Sequence, residues 1–303
     1  MSDVETGAGA RRIAAGDLEA MFLPERGMLG ASLKHRGIEL LRRIGDLEAA
    51  AAKGSTAGIP LLHPWANRLS GLSYRAAGRA VTLDPASPLL HFDDRGLPIH
   101  GVPWSRLCWE VVASGPDRLV ARLEWDRAEL LAVFPFRHSL EMTAALSGDA
   151  LTVDTTLFAG ADGPVPVAFG FHPYVGLPGL DRERWRLTLP GMRRLAVDGA
   201  GIPTGEEEPF AAPDAPLGDR GFDDGFVLDS GPAVFGLDGG GRRISVEFLA
   251  GYRYCQVYAP KARPFVALEP MTAPTNALSS GRGLTLVAPG GQYRAAFRIH
   301  VAT

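Results

Sequence analysis

Lysine and cysteine are both scarce in this 303-residue chain. The lysines are Lys34, Lys53 and Lys261, and none stands at an apolar strand end where desolvation would lower its pKa. Schiff-base chemistry therefore has poor candidates. The cysteines are Cys108 and Cys255, both in apolar, strand-like settings, which predicts two buried free thiols rather than a disulfide or a metal pair. No HxH or HExxH spacing occurs among the seven histidines, so no metal site is expected. Gly239-Gly-Gly lacks a following Lys-Ser or Lys-Thr, and no GxSxG occurs, which argues against a phosphate cradle and an α/β-hydrolase. A net charge of -3 argues against nucleic acid or an anionic membrane as partner. No run nears the roughly 20 apolar residues that cross a bilayer. The N-terminal stretch lacks the basic and apolar regions of a signal peptide, so a cytoplasmic protein is expected, monomer or homodimer.

What is abundant is alternation with a period of two. Leu119, Ala121, Leu123 and Trp125 alternate with Val120, Arg122, Glu124 and Asp126. Leu151, Val153, Thr155 and Leu157 do the same, as do Ile244, Val246 and Phe248, and then Tyr293, Phe297, Ile299 and Val301. Such patterns mark strands with one buried face. Turn chemistry such as Ser147-Gly-Asp separates them. Helical signal is thin, with two turns expected over Asp46–Lys53 and Asp46 as cap. Many strands with almost no helix predict an all-β, antiparallel sandwich or barrel. No repeat or linker divides the chain, so one domain over 1–303 is expected, with 1–10 a loose N-terminus. Segment 198–222, rich in Gly, Pro, Glu and Asp, reads as a long surface loop inside that domain.

Chemistry-bearing groups stand where strands meet Gly or Pro. In Arg263-Pro-Phe-Val-Ala-Leu-Glu269-Pro, an apolar run delivers a carboxylate just before Pro270, where pairing should stop. Glu269 is then either a catalytic acid–base group or a structural carboxylate. In Ala168-Phe-Gly-Phe-His172-Pro-Tyr, an imidazole occupies a similar setting. His100, before Gly101, is a packed histidine or a ligand-facing one. Asn67 and Arg68, framed by Pro64 and Gly71, either knit a loop or bind oxygen-rich ligands. Asp223-Asp224 reads as turn acids before a strand. Trp65, Trp104, Phe171 and Tyr174 lie beside these groups, as core or as platforms for a carbohydrate.

Asn67-Arg68 before Gly71, His100-Gly101, Gly170-Phe-His172-Pro-Tyr, Asp223-x-x-Phe, Gln256-Val-Tyr, and Leu268-Glu269-Pro with Asn276-Ala-Leu occur in that order. Together they resemble the aldose 1-epimerase (mutarotase) family, from about residue 20 to the C-terminus. The resemblance implies a single large antiparallel β-sandwich with a small-molecule sugar in an open cleft. It also implies acid–base chemistry without metal or cofactor. By this resemblance Glu269 is the base on the anomeric hydroxyl and His172 the acid at the ring oxygen. His100 would bond near that oxygen, Asn67 and Arg68 would hold hydroxyls, and Asp223 and Gln256 would orient the sugar; Asp224 replaces Asp223 if the register slips by one. Phe171 and Val175 stand where galactose mutarotases proper tend to carry Asn and an aromatic, which fits the broader branch. A hexose-6-phosphate 1-epimerase would add rim cations such as Arg26, Arg75 or Arg95, and a non-catalytic sugar-binding module would keep the cleft alone.

Overall fold

In the computed structural model, which describes residues 9–212, 214–229 and 233–303, the alternating segments become two eight-stranded antiparallel sheets. The first runs, in spatial order, Arg186–Thr188, Ala233–Gly239, Arg242–Ala250, Gln292–Ala302, Ala150–Ala159, His138–Ser147, Arg118–Trp125 and Glu110–Ser114. The second runs Pro203–Phe210, Met192–Val197, Phe222–Leu228, Tyr254–Ala259, Val266–Met271, Gly170–Phe171 and Leu61–Leu62, and Tyr174–Val175 also pairs with Val266–Met271. Arg11–Ala15, Leu18–Leu23, Leu29–His35 and Ile38–Glu39 form a smaller sheet of four.

One continuous core joins the two large sheets. Leu140, Val153, Val246 and Ile299 from the first share it with Phe226, Val257 and Leu268 from the second. Each is a buried member of its strand, and full burial of such a side chain contributes about 1.5–3 kcal/mol. Phe297 is fully buried, and its truncation to Ala would cost about 3–5 kcal/mol. The alternation has a second consequence. With Val257 and Leu268 turned into the core, their neighbours Gln256 and Glu269, directly opposite each other, take the far face of the second sheet.

The helix forms where expected, over Leu47–Ala52, with the Asp46 carboxylate accepting from the Ala49 amide. Other expectations need correction. Pro270 does not end its strand, which pairs on to Met271. The neighbouring chain on that side is broken between Gly170–Phe171 and Tyr174–Val175, so the proline lies against an interruption in the ladder, where a missing N–H is tolerated. Segment 198–222 is not all loop, because Pro203–Phe210 forms the exposed edge strand of the second sheet. Asp223 and Asp224 lie within the strand Phe222–Leu228 and not in a turn before it. Cys255 is buried but Cys108 is exposed, since the inward places beside it go to Leu107 and Trp109. Of the proposed loose N-terminus, residues 1–8 lie outside the described residues. No helix among the described residues is long and apolar enough to cross a membrane.

Candidate active site

Glu269 occupies the middle of a strand flanked on both sides, which holds its backbone rigidly. The residue is 1% exposed, and Oε2 is buried without a hydrogen-bond partner among the described residues. Burial pushes its carboxyl well above the usual carboxylate range; the Asp223 charge adds to this, and Arg68 opposes it.

His172 sits in the gap between two short strands, opened by Pro173. Its amide donates to the Pro60 carbonyl at 3.1 Å, and the Tyr174 amide donates to Gly58 at 2.9 Å, which sutures the segment to the loop before Leu61. The imidazole Nε2 lies 3.1 Å from Glu269 Oε1. The ring stacks on Tyr174 at 4.1 Å with planes 15° apart. Burial drives the His172 pKa well below 6.5, helped by His100 and Arg42. Each partner taken alone thus favours its neutral form. A buried, touching pair of this kind can share one proton, as carboxylic acid with imidazole or as carboxylate with imidazolium.

His100 meets the His172 ring edge-on, with centroids 5.7 Å apart. Gly101, at φ 66°, brings the chain so close to the His63 carbonyl that a Cβ there would lie 2.3 Å from its oxygen. Only glycine permits this approach. Burial, with Arg68 and His91 beside it, pushes His100 down to about 3, which favours the neutral imidazole.

Asn67 adopts φ 57°, a left-handed conformation that asparagine tolerates. Its Oδ1 accepts from the Arg68 amide at 2.9 Å and from Arg68 Nη1 at 3.2 Å. Arg68 Nε donates to Asp93 Oδ2 at 2.6 Å. The Asn67 oxygen is therefore committed to placing Arg68, which leaves its amide N–H groups for a ligand. On the sheet side Gln256 Nε2 donates to Asp223 Oδ1 at 2.8 Å. Asp224 points the other way and pairs with Arg194 at 3.3 Å. Asp223 is therefore the acid on the Glu269 face.

The structure brings Glu269, His172, His100, Arg68, Asn67, Asp223 and Gln256 to one site. Of the aromatics, Trp65 and Phe171 belong to the main core and Trp104 to a small cluster, while Tyr174 alone stacks on a site imidazole. Sequence reasoning missed Asp93, whose Oδ1 accepts from the Arg95 and Leu97 amides while Oδ2 holds Arg68. The Asp-x-x-Gly turn pattern of Asp93–Gly96 is the signal that marks it. It also missed Asn276 as a brace: its amide donates to the Arg68 carbonyl, and its Oδ1 accepts from the Ser70 amide. Among the described residues no three or more His, Cys, Asp or Glu side chains are grouped to hold a metal.

Comparison with solved structures returns the same fold. A protein from Synechocystis sp. PCC 6803 superposes with a TM-score of 0.81 at 23% identity, over 100% of this chain and 99% of that one. A galactose mutarotase-like protein from Clostridium acetobutylicum reaches 0.85 at 17% identity, over 97% and 95%. A GalM/aldose epimerase homologue from C. elegans gives 0.78 at 16% identity, over 97% and 98%. No curated protein sequence gives a significant match. The sequence model of the aldose 1-epimerase family matches residues 29–300, nearly the whole chain. The chain belongs to the aldose 1-epimerase family.

Proposed function

We propose that this protein interconverts the α and β anomers of a sugar by acid–base opening and closure of the ring, as one catalytic unit without a metal or cofactor. The observation that carries this reading is the 3.1 Å contact between a buried carboxylate and a buried imidazole at one site with His100, Arg68, Asp223 and Gln256. When a sugar binds, the proton shared by the pair moves to His172, and Glu269 accepts the anomeric hydroxyl proton. His172 gives its Nε2 proton to the ring oxygen, the C1–O5 bond breaks, and the free aldehyde forms. Rotation about C1–C2 presents the other carbonyl face, and the same transfers run backwards to close the ring. Neutral His100 offers a hydrogen bond beside the ring oxygen. Arg68, Asn67, Asp223 and Gln256 hold the hydroxyls. A glycoside hydrolase would more usually flank the scissile bond with two carboxylates, and here the pair is carboxylate with imidazole.

A sugar bearing an anionic group is a second reading, favoured by one observation. The guanidiniums of Arg68 and Arg95 both flank Gly201, at 3.7 and 3.0 Å from the place a Cβ would take. Arg26, by contrast, is paired with Glu48. The test is exchange NMR on a panel of anomerically pure aldoses and aldose phosphates. Accelerated anomer exchange for at least one sugar is expected. Binding of a sugar without acceleration would instead identify a sugar-binding module.

A further inference from the structure

Of the rings that pack on His172 among the described residues, only Tyr174 lies parallel to the imidazole. His100 and Tyr258 meet it at 82° and 77°, with centroids 5.7 and 6.0 Å away, whereas Tyr174 stacks at 4.1 Å and 15°. Sheet register puts it there, because Tyr174 pairs with Ala267, two places before Glu269 on the same face. The phenol is held from several directions. Its hydroxyl shares a hydrogen bond with Thr56 Oγ1, and Phe265 packs against the ring at 5.3 Å and 74°. The Tyr174 carbonyl accepts from the Arg42 amide at 3.0 Å. The Arg42 guanidinium lies over the same ring, 5.4 Å from its centroid, and donates to the Thr56 carbonyl at 3.0 Å. One fixed phenol ring thus carries a stacked imidazole and a permanent cation. An aromatic face is the negative part of the ring's quadrupole and attracts positive charge. A stacked imidazole therefore gains more from that face when protonated than when neutral. Burial opposes the imidazolium, and so do His100 and Arg42, while Glu269 at 3.1 Å favours it.

We propose that Tyr174 is a platform that favours the imidazolium form of His172, and that Arg42 over the same ring limits how far. The proposal rests on the anomer-exchange reading above and adds Tyr174 and Arg42 to it as positioning residues. When the shared proton moves from Glu269 to His172, positive charge appears on a ring already lying against the phenol face. No group has to move to meet it. The Arg42 charge acts in the opposite sense. It keeps the imidazolium from becoming so stable that it withholds its proton from the ring oxygen. Thr56 and Phe265 act only by holding the platform in place.

The experiment follows His172 protonation by nitrogen NMR, and kcat, against pH in wild type, Tyr174→Leu, Tyr174→Phe and Arg42→Met, with melting temperatures. Tyr174→Leu removes the aromatic face. It is expected to move the His172 midpoint and the acid limb of kcat down by roughly 0.4 to 1.5 pH units. Its kcat should fall roughly 2- to 30-fold, with KM less affected. Tyr174→Phe keeps the face and is expected to titrate as wild type does. Arg42→Met, at an exposed position, should move the midpoint and the acid limb up. These opposite signs separate a platform from mere packing, whose loss shifts neither in a set direction. A His172 that titrates alike in wild type, Tyr174→Leu and Arg42→Met overturns the proposal, as does Tyr174→Phe shifted as far as Tyr174→Leu. If Tyr174→Leu does not fold, an upward shift in Arg42→Met with an unshifted Tyr174→Phe supports it, and any other pairing rejects it. The titration needs no sugar, so absence of anomer exchange in wild type would fall on the parent reading alone.

Discussion

Glu269 Oε1 and His172 Nε2 face each other across 3.1 Å, although their residues are far apart in sequence. One comes from the middle of a sheet, the other from a break in the neighbouring strand. Burial disfavours the charged form of each, and the reaction proposed here uses one proton shared between them as its working part.

A shared proton dictates the pH profile. Activity requires the pair to hold one proton, so it falls when a second is forced on or when the last is removed. Burial lowers the imidazole well below 6.5 and raises the carboxyl well above 4.5, which widens the one-proton window at both ends. We expect kcat to stay level as pH falls through 6.5 and to form a broad plateau that includes neutrality. A profile that loses activity with a single midpoint at the ordinary imidazole value would contradict this. The measurement is kcat against pH with a saturating anomer.

Asp93 is expected to act through Arg68. It is nearly buried, receives Arg68 Nε at 2.6 Å, and ties down its own turn through the Arg95 and Leu97 amides. Asp93→Asn keeps the shape but weakens the charge-assisted bond, which is worth about 1.5–3 kcal/mol. The expected result is a KM raised about tenfold or more, with kcat less affected, because ground-state placement of the hydroxyls is lost. Unchanged KM would place Arg68 outside sugar binding. Arg68→Lys should do similar harm, since lysine lacks the planar fork that serves Asp93 and Asn67 together.

A second buried imidazole pair governs stability in acid. His138 Nδ1 lies 2.6 Å from the Phe136 carbonyl and so carries the hydrogen, and His138 Nε2 accepts from His63 Nε2 at 2.9 Å. Both rings are packed against Trp125 and Phe134. Burial holds His138 at about 4 and His63 well below 6.5. Since these folded values lie below the unfolded one, their stability is present above 6.5 and is lost as pH falls toward 4. Each imidazole contributes a slope of up to about 1.4 kcal/mol per pH unit over that range. Glu269 works in the opposite sense, its raised pKa giving stability below 4.5 that is lost as pH rises through the folded value. The difference between wild type and His138→Gln isolates the imidazole. Wild type should lose more stability than the variant between about pH 7 and pH 5. Parallel denaturation curves for the two would refute the assignment.

Replacing the buried carboxyl should separate stability from activity. Glu269→Gln removes a group that is costly to ionise in place, so its melting temperature at neutral pH should equal or exceed that of wild type. A large drop would mean that Glu269 is a structural carboxylate.

The strands were legible because alternation is a local pattern, whereas the pairing of Glu269 with His172 was implied by the family resemblance. Alternation in Leu151–Leu157 and Ile244–Phe248 dictates which face is buried, and a carboxylate among apolar residues at Glu269 stands out on the same ground. Pro270 misled for a physical reason: a proline ends pairing only if its neighbour needs its N–H, and here the neighbouring chain is interrupted. Partnerships that join remote segments left no local trace. Thr56 and Tyr174 are 118 residues apart, and His63 and His138 are 75 apart. Asp93 lay between these extremes, visible as a turn residue but not as the anchor of Arg68. Cys108 followed its neighbours' apolar character on paper, yet it is turned outward between buried Leu107 and Trp109.

The most direct test is the rate at which a pure anomer reaches equilibrium in the presence of wild type, Glu269→Gln and His172→Asn, followed by polarimetry or exchange NMR. Wild type should accelerate the exchange, and each variant, still folded, should lose about 10²- to 10⁴-fold. Full activity in either variant would contradict the paired-proton account at its root.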